Sequence, residues 1–200
     1  LEEPCRPARR SPRDTELNTH ARTLMGAGGY RRCKYADLAE RVQIRKASIH
    51  HHFPAKADLV QAVVAEYRQE ARAGMAATSQ HFRHDPLGEL NGYINFWANC
   101  IRENTSPFCI CVMLAVELPT LPEEVAVEVS GHFTELAEWL TTVLRKGEQS
   151  GVFVLRAGAA SEAKSVMATV HGAMIAARAF NQPELFLHIV APVINRLLPA

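Results

Sequence analysis

The sequence predicts an all-α fold, in which an N-terminal three-helix unit containing a helix-turn-helix is joined to a larger helical body. Three features of the 200 residues carry that prediction. Apolar residues recur at three- and four-residue intervals along most of the chain, as in helices with one buried face, and no segment reads as a strand longer than Val152–Leu155. Two short helical patterns stand close together between Tyr35 and Phe53, and the second has a polar outer face, which is the plan of a helix-turn-helix. Charge divides along the same line: residues 1–60 hold 12 Lys or Arg against 7 Asp or Glu, whereas residues 61–200 hold 10 against 14. A basic small lobe on an acidic large one suits a nucleic-acid head on a separate body.

The elements follow in order. Residues 1–14 (LEEPCRPARRSPRD) are rich in proline and arginine and lack apolar periodicity, which predicts a disordered basic arm. It reads either as a solvated tail or as a phosphate and minor-groove contact through Arg6, Arg9, Arg10 and Arg13. Leu17, Ala21, Leu24 and Met25 form a stripe that predicts a helix from Thr15 to about Ala27, closed by Gly26, Gly28 and Gly29, with Gly29 as a left-handed cap before Tyr30. Leu38, Ala39 and Val42 then mark a short helix, and Gln43 breaks it. A second short helix, about Lys46 to His52, keeps Ile49, His52 and Phe53 inward and turns Arg45, Lys46, Ser48, His50 and His51 outward. Pro54 ends it, because proline lacks the N–H and disfavours α geometry in the preceding residue. A long helix from Ala55 to about His81 leads into the body.

The body opens near Asp85-Pro86 with an apolar face of Leu87, Leu90, Tyr93, Ile94, Trp97 and Ile101. Ser106-Pro107 reads as an N-cap and first helical residue for a helix over Phe108–Leu118. Thr120 to Glu123 has capping-box spacing for the next helix, which carries Val125, Val129, Leu136, Leu140 and Val143 and ends at Gly151. A small-residue helix from about Ala159 to Phe180 and a last helix after Pro183, kinked at Pro192, complete the chain.

Within this plan, DLAERV-x-I-x-K-A-S-I-H-H-H-F-P-x-K-A-D-L resembles the DNA-binding signature of the TetR family of bacterial one-component transcriptional regulators. Ala39, Ile44, Lys46, Phe53, Lys56 and Leu59 hold the matching positions, with Gly29-Tyr30 upstream. The resemblance implies a DNA-binding domain over residues 15–60 and an effector-binding and dimerisation domain over 61–200. It further implies a ligand-responsive regulator, usually a repressor, that holds a palindromic operator as a homodimer through its two C-terminal helices and is released by a small effector. The chain departs from the pattern at Gln43, where glycine is usual because it accepts positive φ, and at Lys34 and Arg45, where a serine or threonine cap is usual. Loss of a cap costs about 0.5–2 kcal/mol.

Candidate DNA contacts follow from residue chemistry. Arg45 and Lys46 stand at the N-terminal end of the second short helix, where base edges and phosphates are both reachable. Ala47 is small enough to meet a thymine methyl, and Ser48 pairs with either partner. His50 and His51 reach phosphate or base, Lys56 suits a phosphate at a helix N-terminus, and Tyr35 is placed at the DNA backbone.

In the body, Tyr93, Trp97, Met113, His132, His171 and Met174 are large or polar residues on apolar faces. They are candidates for an effector site, each with a plain core role as the alternative. Asn91, Asn95 and Asn99 form a polar row that either faces solvent or lines that site. Cys109 joins the candidates: three residues into a helix capped by Ser106, its thiol would be acidified by the helix dipole. Cys109 would then act as a redox or electrophile sensor, with Cys100 as a possible partner; the alternative is that Cys109 and Cys111 are small buried core residues. On a continuous helix the two point about 200° apart, too far to close a disulfide or share a metal. His50, His51 and His52 diverge by about 100° per residue and also fail to converge on one ion.

No metal site, cofactor or catalytic residue is therefore expected, and a helical His/Cys metalloenzyme remains only a rival reading, as does a DNA-free dimerisation module. Five cysteines at irregular spacing argue against a disulfide framework. The lack of a signal core and of a membrane-length apolar run predicts a cytoplasmic protein with no membrane partner. Ala160, Ala163, Met167, Val170, Ala173 and Ala177 form the shallow face expected to meet a second copy, with an intrachain core as the alternative.

Overall fold

The computed structural model describes residues 12–103 and 108–199, and among them every regular element is a helix. The head comprises α1 (Pro12–Arg32), α2 (Tyr35–Val42) and α3 (Lys46–His52). The long α4 (Lys56–His81) crosses into the body, so the expected boundary at residue 60 falls inside a helix. The body comprises α5 (Pro86–Glu103), α6 (Ile110–Val116), a 3₁₀ turn (Leu118–Thr120), α7 (Glu123–Gln149), α8 (Ala159–Phe180) and α9 (Leu185–Asn195). No helix among the described residues is long and apolar enough to cross a membrane.

In the head, Leu17, Ala21, Leu24 and Met25 of α1 are buried with Leu38, Val42, Ile49 and Leu59, so the stripes read from the sequence form one small core. Gln43 turns the chain between α2 and α3 in the left-handed conformation (φ 54°, ψ 42°), the place where glycine would be unstrained. Lys34 and Arg45 occupy the N-cap positions of α2 and α3 without a side-chain cap bond. Polar contacts then tie α1 to α4: the Asn18 amide donates to Glu66, and Arg22 pairs with Glu70 at 2.5 Å.

The body is layered around α7, which packs against α4, α5, α6 and α8, while α9 covers α8. Its core is mostly aliphatic, with Leu90, Val125, Leu140, Val143, Leu144, Val170 and Phe186 almost wholly buried. One charge lies within it: Glu89 is fully buried, paired with Lys146, and accepts from Ser79 Oγ, which itself accepts from the Trp139 indole at 2.8 Å. Such a carboxylate is tolerable only because it is paired and hydrogen-bonded.

Several expectations need correction. The arm predicted over 1–14 lies outside the described residues up to residue 11, and the backbone of Pro12–Asp14 already belongs to α1. The first helix breaks where its end was expected, at Gly28 and at Gly29 with φ 69°; what the sequence did not announce is the further helical segment that carries α1 on to Arg32. Ser106-Pro107 falls outside the described residues; the helix it was to open starts instead at Ile110, with Cys109 as its N-cap. Thr120 makes no capping box, because Pro122 is the N-cap of α7 and the Thr120 hydroxyl bonds to Glu117 O. His52 is exposed, not turned inward. The short extended piece read at Val152–Leu155 carries no regular element, and its Val154 N–H is held by Leu197 O at 2.8 Å.

Most of the face expected to meet a second copy is taken up inside the chain: Ala163, Val170, Ala173 and Ala177 are buried, Met167 is half-buried and only Ala160 is exposed. The opposite side of α8 is open and presents Ala168, Gly172 and Ile175; Phe180 at the end of α8 and Leu187 and Ala191 on α9 are exposed as well. A small-residue face suits close helix packing either inside a chain or between chains, so residue size alone could not assign it.

Candidate DNA interface and effector cavity

The outer side of α3 is a cationic, solvent-facing surface. Arg45, Lys46, Ala47, Ser48, His50 and His51 are all exposed, while Ile49 is sealed in the head core and Phe53 is half-buried. Neither Arg45 nor Lys46 enters an ion pair among the described residues, so their charges are available to an outside anion. His50 packs edge-on to the Tyr35 ring at 4.6 Å. Lys56 lies half-buried at the start of α4 with its ammonium 4.0 Å from the centroid of the Tyr30 ring, a cation–π contact that fixes its position.

Tyr35 does not take the role expected of it. It is buried, and its hydroxyl lies 2.8 Å from Phe53 O and 2.7 Å from Ala55 O, so it ties α2 to the turn that follows α3. Burial pushes its phenol up to about 12. Its contribution to the surface is to hold the end of α3 in place.

A cavity of about 340 Å³ opens in the body between α4, α5 and α7. Of the expected effector residues, Tyr93, Trp97 and His132 line it; Met113, His171 and Met174 do not. Met174 is core and Met113 is half-buried beside Arg178. Tyr67 and Trp139 complete the wall and were missed, although both continue an apolar stripe: Tyr67 follows Leu59 and Val63 at four-residue spacing, and Trp139 stands three residues after Leu136. The Tyr93 hydroxyl is buried without a well-formed hydrogen bond, which leaves an unsatisfied polar group in the cavity wall. Asn91, Asn95 and Asn99 all face solvent.

Behind His132 lies a buried group of sulfur and imidazole side chains. Cys109 Sγ is 3.8 Å from His132 Nε2 and receives a hydrogen bond from the Tyr67 hydroxyl at 3.2 Å. Burial alone would raise the Cys109 thiol, but hydrogen bonds from Cys111 and His132 and the nearby imidazoles bring it well below its ordinary value. Cys111 is raised, by burial first and then by its bond to Cys109. The acidification expected of a helix dipole thus has a different origin, since Cys109 caps α6 and is not inside it. Cys33, Cys109 and Cys111 are free thiols.

Alongside the packing of α1 against α6, the Glu117 and Arg178 side chains join this body to the head. Glu117, just beyond α6, accepts the Tyr30 N–H at 2.9 Å. Gly29 permits that approach, since a Cβ there would stand 1.8 Å from the Glu117 carboxylate and φ is +69°. Arg178 on α8 donates to Gly26 O at 3.0 Å and Ala27 O at 3.2 Å, with its guanidinium over the Phe108 ring.

A helix-turn-helix head with an exposed cationic second helix, carried on a helical body with a cavity, defines a DNA-binding transcription regulator. The family model described as bacterial regulatory proteins, tetR family, matches residues 19–63. A TetR-family transcriptional regulator from Agrobacterium tumefaciens is 46% identical with a TM-score of 0.91, over 94% of this chain and 98% of that one. The chain therefore belongs to the TetR family of bacterial transcriptional regulators, which are DNA-binding proteins and not enzymes. A TetR regulator from Legionella pneumophila (21% identity, TM-score 0.84, covering 94% and 98%) and a regulatory protein TetR from Rhodobacter sphaeroides (16%, 0.86, covering 94% and 100%) share the fold. No curated protein matches the chain.

Proposed function

We propose that this protein is a ligand-responsive repressor that binds a palindromic operator as a homodimer through α3 and is released by a small, partly apolar effector. The observation that carries the reading is the free cationic first turn of α3, where Arg45 and Lys46 flank Ala47 and Ser48 on the open side of a packed helix. One small head buries only about 600–1,000 Å² on DNA, so a pair of heads reading half-sites about 34–36 Å apart supplies what one cannot. The open face of α8 and α9, with Ile175, Phe180 and Leu187 each more than two-fifths exposed, is the surface a second copy would cover.

The effector reading rests on the cavity, whose volume lies at the small end of the roughly 300–1,000 Å³ typical of ligand sites. Its contents would bear on Tyr67 and His132, through them on Cys109 at the start of α6, and through Glu117 at the far end of α6 on Tyr30 of the head. Such a link lowers operator affinity when the occupied body favours a head arrangement that misfits the half-site spacing. By reciprocity, operator DNA weakens effector binding by the same factor.

The test is a binding titration on an operator found by in vitro selection from random duplexes. Arg45→Ala is expected to weaken operator binding by about 1–3 kcal/mol while changing non-specific binding less. With about eight phosphates engaged, log K is expected to fall with log salt at a slope near −7. Equal losses on operator and random DNA would remove base reading from Arg45, and a salt-independent affinity would remove the DNA reading of α3.

A further inference from the structure

We propose that Cys109, Cys111 and His132 form a binding site for one thiophilic d¹⁰ metal ion, Zn(II) or Cu(I), per chain. The inference concerns the body alone and stands whether or not α3 reads an operator.

Sequence spacing argued against such a site because residues two apart on a helix diverge. That premise fails here. Cys109 is the N-cap of α6, extended at φ −62°, ψ 117°, while Cys111 lies in the first turn. The change of backbone swings the two sulfurs together, and His132 reaches them from α7. Their donor atoms all lie within 4.8 Å of one another, and all three residues are buried. Metal bonds of about 2.0–2.3 Å to nitrogen and sulfur imply donor separations of about 3.3–3.8 Å, so only a small contraction is needed.

The donor set selects the ion. Two sulfurs and one imidazole, with no carboxylate among them, suit zinc or monovalent copper and give calcium or magnesium nothing to bind. A trigonal S₂N set is complete for Cu(I); Zn(II) takes a fourth ligand, and its charge is balanced by two thiolates in a dry site. The surroundings fit a built site. The Tyr67 hydroxyl donates to Cys109 Sγ, the kind of outer bond that orients a metal ligand. His171, buried with Nε2 unpartnered, packs against Phe133, the residue next to His132. Tyr67 and His132 line the cavity on their other side, so an ion has a way in.

The experiment uses the reduced full-length chain, freed of metal and titrated with Zn²⁺ or Cu⁺ against a chromophoric chelator, with Co²⁺ as a spectroscopic stand-in. Expected are one ion per chain, no response to Mg²⁺, and an intense sulfur-to-cobalt charge-transfer band. That band separates the site from the exposed His50–His52 run, which holds no sulfur. Cys111→Ser and His132→Gln, checked for helical content, should each weaken binding by more than about 100-fold, and Tyr67→Phe by about 10–100-fold as an outer partner. The proposal is overturned by a wild-type chain that binds neither zinc nor copper, by cobalt binding without the charge-transfer band, or by unchanged affinity in folded Cys111→Ser. Alkylation of Cys109 by a soft electrophile in a chain that binds no ion would likewise overturn it, making the thiol a reactive group and not a ligand. Should the variants fail to fold, the wild-type cobalt spectrum alone decides.

Discussion

Head and body solve opposite problems with similar side chains. In the head, Arg45, Lys46, His50 and His51 lie along one short helix and stay in water, where polar groups cost little and remain available. In the body, Glu89, Cys109 and His132 come from α5, the start of α6 and α7 and are buried, each within reach of a polar side chain from another element. Surface chemistry can be written on consecutive residues. Buried chemistry has to be assembled from distant ones, because each polar group needs a partner that a single helix cannot supply.

The largest test of that contrast is Lys146→Met, which leaves the fully buried Glu89 carboxylate without its cation. The expected loss is about 3–5 kcal/mol in urea unfolding, largely recovered in the double variant Glu89→Leu/Lys146→Met. An unchanged midpoint would mean that the body does not depend on its buried polar network.

Smaller is the effect at the joint between the two regions. Arg178→Ala removes both bonds to the carbonyls of Gly26 and Ala27. Amides from Tyr30 to Cys33 should exchange about tenfold faster, equivalent to about 1.4 kcal/mol, the size of a partly exposed charge-assisted bond. If exchange there is unaltered, the head is held to the body by Glu117 without Arg178.

The smallest is within the head, where Gln43→Gly relieves a left-handed backbone at a solvent-exposed turn. A gain of at most about 1 kcal/mol, or a few degrees in melting temperature, is expected. No gain would show that the flanking helices make the turn conformation costless.

The same contrast explains what was legible in advance. The helix-turn-helix was readable because its core stripe, turn and cationic face fall within one stretch of about twenty-five residues, Tyr35 to Leu59. Tyr35 was misplaced because its partners, Phe53 O and Ala55 O, are backbone groups that carry no sequence signal. In the body, Tyr93, Trp97 and His132 were found as odd residues on apolar faces, but nothing local could say that Tyr67 and Trp139 would join them. The pairing of Cys109 with Cys111 was misjudged for one reason: the helix was started too early, and a single residue leaving the helix reverses the direction of its side chain.

The contact between Gly29 and Glu117 has a consequence for how this chain can change. A methyl group at 29 would collide with the carboxylate, and shortening the acid at 117 would strand the Tyr30 amide. Positions 29 and 117, far apart in sequence, thus tolerate substitution only in concert, and a library that randomises either alone should recover the starting residue.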